Sequence, residues 1–226
     1  MTPKLTRRDS LKLAGGVLLL ATPFASRAVS DTACVVVPEQ TEGPYFVDDR
    51  LNRSDIRSDP RDGSRRSGVP LVLSFLVSRK TGGGCSPLPG ATVDLWHCDA
   101  QGIYSDVRDA DFDTLGQKFL RGYQLTGGDG AARFTTIYPG WYPGRAVHVH
   151  FKVRSGPSEF TSQLYFDDGL NERIFSEAPY ERSARSGQRL HNDDDGIYEY
   201  GGKELTLRLE PAGSGYAGRF HVALKV

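Results

Sequence analysis

His148 and His150 stand two residues apart in Gly140-Trp141-Tyr142-Pro143-Gly144-Arg145-Ala146-Val147-His148-Val149-His150-Phe151. Side chains of an extended strand alternate between its faces, so the two imidazoles project together while Val147, Val149 and Phe151 face the other way. Two imidazoles converging on one point make half of a metal site. Single histidines on strands commonly rest in surface hydrogen bonds, and the local pattern alone leaves both roles open. The rest of the chain, which holds five histidines in all, has to decide.

A strand-borne pair needs further ligands. Tyr142 lies six residues before His148 in a turn bounded by proline and glycine, and Tyr104 follows Asp99-Ala100-Gln101-Gly102-Ile103. With ten tyrosines in the chain, spacing does not distinguish these two from half-buried packing residues whose hydroxyls are hydrogen-bonded.

The elements that must position such a site are strands. With 226 residues, 38% of them hydrophobic, the chain suits one domain with a full core, and 26 glycines and 13 prolines among short apolar runs imply many turns. Alternating or apolar runs predict strands over residues 70–77, 91–98, 118–125, 132–136, 146–153, 161–166, 205–209 and 218–224. Gly82-Gly83-Gly84 and Pro87-Leu88-Pro89-Gly90 read as turns. The pattern predicts an all-β fold, an antiparallel β-sandwich over residues 66–226, preceded by a loop-rich N-terminal arm over residues 29–65 that wraps it. No heptad, helical repeat or low-complexity linker marks a second domain.

Residues 1–28 read as an export signal. Thr6-Arg7-Arg8-Asp9-Ser10-Leu11-Lys12 precedes an apolar stretch over residues 13–24, and Ala25-Ser26-Arg27-Ala28 offers small residues for cleavage. The pattern is of twin-arginine type, with Ser10 where such signals usually carry phenylalanine; an ordinary secretory signal is the alternative. The apolar run is shorter than the roughly 20 residues a membrane span needs, so no membrane anchor is expected in the mature form. The protein is expected to be exported, to the periplasm or beyond the cell.

The whole chain carries 28 basic and 28 acidic residues, of which residues 1–28 hold five and one, leaving a net charge of −4 on the remainder. That makes nucleic acid an improbable partner. Export would place Cys34, Cys85 and Cys98 where disulfides form. A strand from Gly90 to Cys98 spans about 26 Å and the return to Cys85 only about 17 Å, against the roughly 7 Å a disulfide allows. A bridge therefore involves Cys34, with Cys85 the preferred partner and three thiols the alternative.

The segments Leu88-Pro89-Gly90-Ala91-Thr92-Val93-Asp94-Leu95-Trp96-His97-Cys98-Asp99-Ala100 through Tyr104-Ser105, then residues 134–151, then Ser162-Gln163-Leu164-Tyr165-Phe166, resemble the intradiol ring-cleavage dioxygenases, the family of protocatechuate 3,4-dioxygenase and catechol 1,2-dioxygenase. The similarity runs in order over about residues 38–226. It implies a non-haem ferric ion, Fe(3+), held by Tyr104, Tyr142, His148 and His150. Arg145 and Gln163 match the family's active-site arginine and glutamine. His97, on the Trp96-His97-Cys98 strand, is read as structural.

Two phenolates and a hydroxide would put three negative charges on the metal, which favours ferric over ferrous iron; zinc is the rival, but two tyrosinates are unusual for it. The resemblance implies that a catechol-type ring and O2 are the substrates, that both oxygen atoms enter between the hydroxyl-bearing carbons, and that a muconate-type diacid leaves. Tyr142 would yield its place to the substrate and carry away a proton, Arg145 would stabilise developing negative charge, and Gln163 would position by hydrogen bonding. Trp141 and Val147 stand where better-known members often carry proline, which leaves substrate preference open, as does pairing of chains into a homo-oligomer. A non-catalytic exported sandwich that binds aromatics or glycans is the alternative, and the intact ligand set argues against it.

A fusion of this chain carrying Arg7→Lys and Arg8→Lys tests the export reading. Fractionation is expected to find it retained in the cytoplasm; continued export would assign the ordinary secretory route.

Overall fold

The structure, a computed structural model, describes residues 36–82, 84–181 and 187–225. The export signal read at residues 1–28, the start of the arm and Cys34 lie outside the described residues. Among the described residues the strands are β1 (Pro70–Thr81), β2 (Gly84–Pro87), β3 (Thr92–Trp96), β4 (Arg121–Leu125), β5 (Ala131–Ile137), β6 (His148–Ser155), β7 (Ser158–Tyr165), β8 (Leu209–Ala212) and β9 (Gly215–Leu224), with one α-helix, α1 (Asp168–Phe175). No helix among them is long and apolar enough to cross a membrane.

The strands form two sheets. One runs β2-β1-β9-β8, with β5 also paired to β1, and the other runs β4-β3-β6-β7. Every ladder is antiparallel except β1 with β9, which run parallel. After the excursion through α1 the chain re-enters the first sheet at β8, and the antiparallel turn into β9 sets β9 in the same direction as β1.

The core lies between the sheets and follows from period-two alternation. Leu71, Leu73, Phe75 and Val77 of β1 are buried at every second position. They meet Val93 and Leu95 of β3 and Val149, Phe151 and Val153 of β6 in one cluster. Phe75 sits with ring centroid 5.2 Å from Phe151, and Phe151 lies 5.7 Å from Phe220 of β9. With the odd-numbered residues of β6 committed to this core, His148, His150, Lys152 and Arg154 must all face outward from the second sheet.

That outward face is not left to water. The segment 36–69 has no extended strand of its own and instead lies along the second sheet. Gln40 donates its backbone N–H to the Thr161 carbonyl at 2.9 Å, Lys152 bonds Glu42 at 2.8 Å, and Arg154 reaches Asp48 at 3.2 Å. Phe46 packs on Trp96 with ring centroids 4.9 Å apart, tilted by 58°. Single bridges at Asn52 to Tyr123 and Asp55 to Thr135 carry the segment back toward β1.

Three details differ from the sequence reading. Residues 84–87, read as the edges of two turns, form β2; all four are exposed and show no alternation to read. Residues 205–209 do not form a strand: Leu205 and Leu207 are buried, but they bracket only Tyr165, at the end of β7, through two backbone bonds of 3.0 and 2.8 Å. The strand expected there starts at Leu209. The helix α1 was not anticipated. It is capped by Asp167, whose side chain accepts from the Leu170 N–H, and buries only Leu170, Asn171 and Ile174, too few apolar residues to show a helical period. Cys85 is disulfide-bonded, and Cys98 is buried.

Candidate metal centre

Strand register assembles most of the centre. Trp96 of β3 lies opposite His150, while on the other side Gln163 of β7 pairs with His150 and Tyr165 with His148. Cross-strand neighbours on one face stand about 5 Å apart, so Trp96, His150 and Gln163 form one row. Trp96 stacks on the His150 ring at 5.0 Å and 7°, fixing the imidazole plane from one side. Gly43 of the arm closes in on His150, where an added Cβ would come within 3.3 Å of the imidazole.

The tyrosines arrive on two loops that touch through glycines. Gly102 has φ of +83°, and a Cβ there would meet the Trp141 carbonyl oxygen at 2.2 Å; at Gly140 a Cβ would meet the Asp99 carbonyl oxygen at 2.4 Å. Only residues without side chains let the two loops approach so closely. Asp99 tightens the first loop by accepting from the backbone of Gln101 and Ile103, each at 3.0 Å. Beyond Tyr104, buried Arg121 donates to the Ser105 hydroxyl at 2.8 Å and also to the Ser105 carbonyl. Thr114 donates to the Tyr104 carbonyl at 2.7 Å. The ring of Tyr45, from the arm, stacks on Tyr104 at 4.5 Å.

The polar atoms then converge. The Tyr142 hydroxyl lies 3.1 Å from His148 Nε2, and His148 Nε2 lies 3.1 Å from His150 Nε2. His148 Nδ1 is 2.7 Å from the Ala146 carbonyl. A carbonyl only accepts, so Nδ1 carries the proton and Nε2 presents its lone pair to the cluster. The Tyr104 hydroxyl and His150 Nδ1 are buried without a hydrogen-bond partner. Burial, with Arg145 nearby, holds both histidines well below the usual imidazole range, so each is neutral. Burial raises both tyrosines; Tyr104 is raised further by the Tyr142 hydroxyl beside it, and Arg145 acts in the opposite sense on each.

These donors fit a metal ion. Neutral imidazoles are in their ligating form, and two Nε2 atoms 3.1 Å apart leave one lone pair facing several donors. Burial keeps the tyrosines protonated on their own, so a multiply charged cation is what would ionise them, releasing their protons as it binds. His97, by contrast, bonds the Cys98 carbonyl at 2.8 Å and the Thr136 hydroxyl at 2.6 Å. Burial lowers its pKa to about 4, and it takes no part in the cluster.

Arg145 and Gln163 border the same space. Arg145 Nη2 donates to Gln163 Oε1 at 2.6 Å, and Nη1 lies 3.5 Å from His148 Nε2. Gln163 Nε2 donates to the Thr41 carbonyl of the arm at 2.9 Å. Three contributors escaped the sequence reading: Thr41 and Tyr45 in the arm, and Asp195, which bonds Arg145 Nε at 2.9 Å. Asp195 lies in the run Asp193-Asp194-Asp195, which reads as a solvated loop; only its burial, at 1% exposure, separates it from its neighbours.

Comparisons with known proteins find relatives of one kind. The family described as dioxygenase matches residues 41–190. A chlorocatechol 1,2-dioxygenase from Cupriavidus pinatubonensis is 30% identical over 179 residues, covering 67% of this chain and 64% of that protein. Catechol 1,2-dioxygenase 1 from Acinetobacter lwoffii is 32% identical over 144 residues, 52% of this chain and 42% of that one. The chain thus spans less than two thirds of the length of these curated relatives. Among solved structures, an intradiol ring-cleavage dioxygenase from Tetranychus urticae superposes with a TM-score of 0.73 at 30% identity, covering 85% of this chain and 95% of that chain.

The close approach of the loops can be tested at two glycines with similar φ. Gly102→Ala is expected to cost about 2 kcal/mol or more, because it adds a backbone collision to the unfavourable φ. Gly144→Ala, at φ +85° with nothing within 4 Å, is expected to cost about 1 kcal/mol. Urea unfolding of both variants measures the difference, and equal costs would mean that the loops do not depend on the contact.

Proposed function

We propose that this chain, which belongs to the intradiol ring-cleavage dioxygenase family, is a ferric-dependent enzyme that cleaves catechol-type rings between the two hydroxyl-bearing carbons with O2. The products are muconate-type diacids. The observation that carries the reading is the convergence of Tyr142 Oη, His148 Nε2 and His150 Nε2 at 3.1 Å spacings, beside the buried, unpartnered hydroxyl of Tyr104. Relatives named for chlorocatechol, catechol, protocatechuate and hydroxyquinol all carry an ortho-dihydroxy ring in those names. That ring is the substrate class we assign.

Tyr104, Tyr142, His148 and His150 would hold the iron. When bound, ferric iron supplies a Lewis-acidic, redox-active centre that draws electron density from a chelated catecholate and makes its ring reactive toward O2. The chain's own residues do the rest. Tyr142 is partly exposed, unlike fully buried Tyr104, so once ionised by a bound cation its phenolate oxygen would be the one placed to accept a proton from an incoming catechol. The Arg145 guanidinium, held beside His148, offers N–H donors where negative charge develops on the substrate oxygens. Gln163 fixes that guanidinium by accepting from it.

Trp96 and Gly43 cover the His150 ring and Tyr45 covers Tyr104, which would keep water from a bound ion. The reading includes export by the twin-arginine route, which carries folded proteins and would let iron enter before translocation.

Visible absorption of the purified, iron-loaded protein tests the assignment. Tyrosinate-to-iron charge transfer is expected to make it burgundy-red, and catechol added under nitrogen is expected to shift the band. Tyr104→Phe is expected to weaken both the colour and catechol turnover. A protein that stays colourless after iron loading would rule the reading out, and zinc at about one per chain would support the rival metal.

A further inference from the structure

Among the described residues, Asp195 is the carboxylate that pairs with Arg145, the cation beside His148. Its Oδ2 accepts from Arg145 Nε at 2.9 Å and from the Ala146 backbone N–H at 2.8 Å. Its Oδ1 accepts from the Ile197 N–H at 2.8 Å, and the side chain is 1% exposed. Arg145 is thereby anchored at two places, Nε to Asp195 and Nη2 to Gln163 Oε1 at 2.6 Å. Gln163 cannot turn its amide over, because its Nε2 is spent on the Thr41 carbonyl. What remains unanchored is the Nη1 edge, 3.5 Å from His148 Nε2.

We infer that Asp195 is a positioning residue that aims the Nη1 edge of Arg145 at the substrate while cancelling its charge on the far side, a role that rests on the function proposed above. Two physical demands conflict at this spot. A guanidinium this close to a histidine that would ligate the metal opposes entry of a trivalent ion, yet stabilising an anion on the substrate needs a cation there. A buried carboxylate behind the guanidinium meets both, since the pair is neutral overall while the N–H donors still point inward. One oxygen serving both Arg145 Nε and the Ala146 N–H also ties the guanidinium to the backbone just before β6. The Ala146 carbonyl in turn fixes the His148 tautomer.

The test compares wild type, Asp195→Asn, Arg145→Gln and the double variant as iron-loaded full chains. Asp195→Asn is expected to bind catechol under nitrogen within about threefold of wild type, by the shift in visible absorption. Its kcat is expected to fall about 10- to 100-fold, the scale set by loss of orientation, with little change in KM. In the Arg145→Gln background the same substitution is expected to cost nothing further. An equal further loss there, or an unchanged kcat in the single variant, would overturn the inference. Asp195→Glu, which keeps the charge, is expected to recover part of kcat; no recovery counts against it.

An independent readout needs neither iron nor turnover. In nitrogen-15 spectra of the metal-free protein, the Arg145 Nε–H is expected to exchange slowly in wild type and rapidly in Asp195→Asn. Rapid exchange in wild type would overturn the inference. A wild-type enzyme that cleaves no catechol would instead sink the proposed function, leaving the exchange result to decide the role of Asp195 on its own.

Discussion

Two imidazole nitrogens 3.1 Å apart, one with its lone pair turned inward by the Ala146 carbonyl, form the constraint around which this chain is arranged. Polar atoms buried without full partners cost free energy, and here the Tyr104 hydroxyl is left without a hydrogen-bond partner. Such a cluster is unfavourable for an isolated protein and favourable for one that holds a cation. The folding free energy to tolerate it comes from the opposite face of the same strand. Val149, Phe151 and Val153 lock β6 into the sandwich core, so the histidines cannot relax by sliding along the strand.

The remaining structure answers the needs this cluster creates. A histidine pair on the outward face of a sheet would be open to water, and the arm covers it, bonding Thr161, Gln163 and Lys152 and placing Tyr45 and Phe46 against the aromatic rings. Two loops bring the tyrosines to the histidines, and the glycines at their contact remove the side chains that would hold them apart. Arg145 adds a positive charge beside the histidines, and Asp195 balances it from behind. Each device is local, yet all act on one space at the start of β6.

Much of this was legible in the sequence. The shared face of His148 and His150 followed from the two-residue period of a strand, which burial of the intervening residues enforces. The sandwich followed from short alternating runs between turns. What escaped had physical reasons. The exposed β2 shows no alternation, and α1 is short and polar, held by its Asp167 cap and by Asn171, which accepts from the Tyr138 hydroxyl. Leu205 and Leu207 alternate as a strand would, but too little of β7 remains for them to pair with. Asp195 resembles its two exposed neighbours, since burial is a tertiary property that spacing does not report. Tyr104 and Tyr142 were singled out by family resemblance; their local spacing did not mark them.

Product analysis under labelled oxygen tests the central claim most directly. Iron-loaded protein, given catechol and its ring-substituted forms with oxygen-18 gas, should release muconate-type diacids in which each new carboxyl carries one labelled oxygen. Ring opening beside the hydroxyl pair, a product without label, or no ring-opened product from any of these substrates would contradict it.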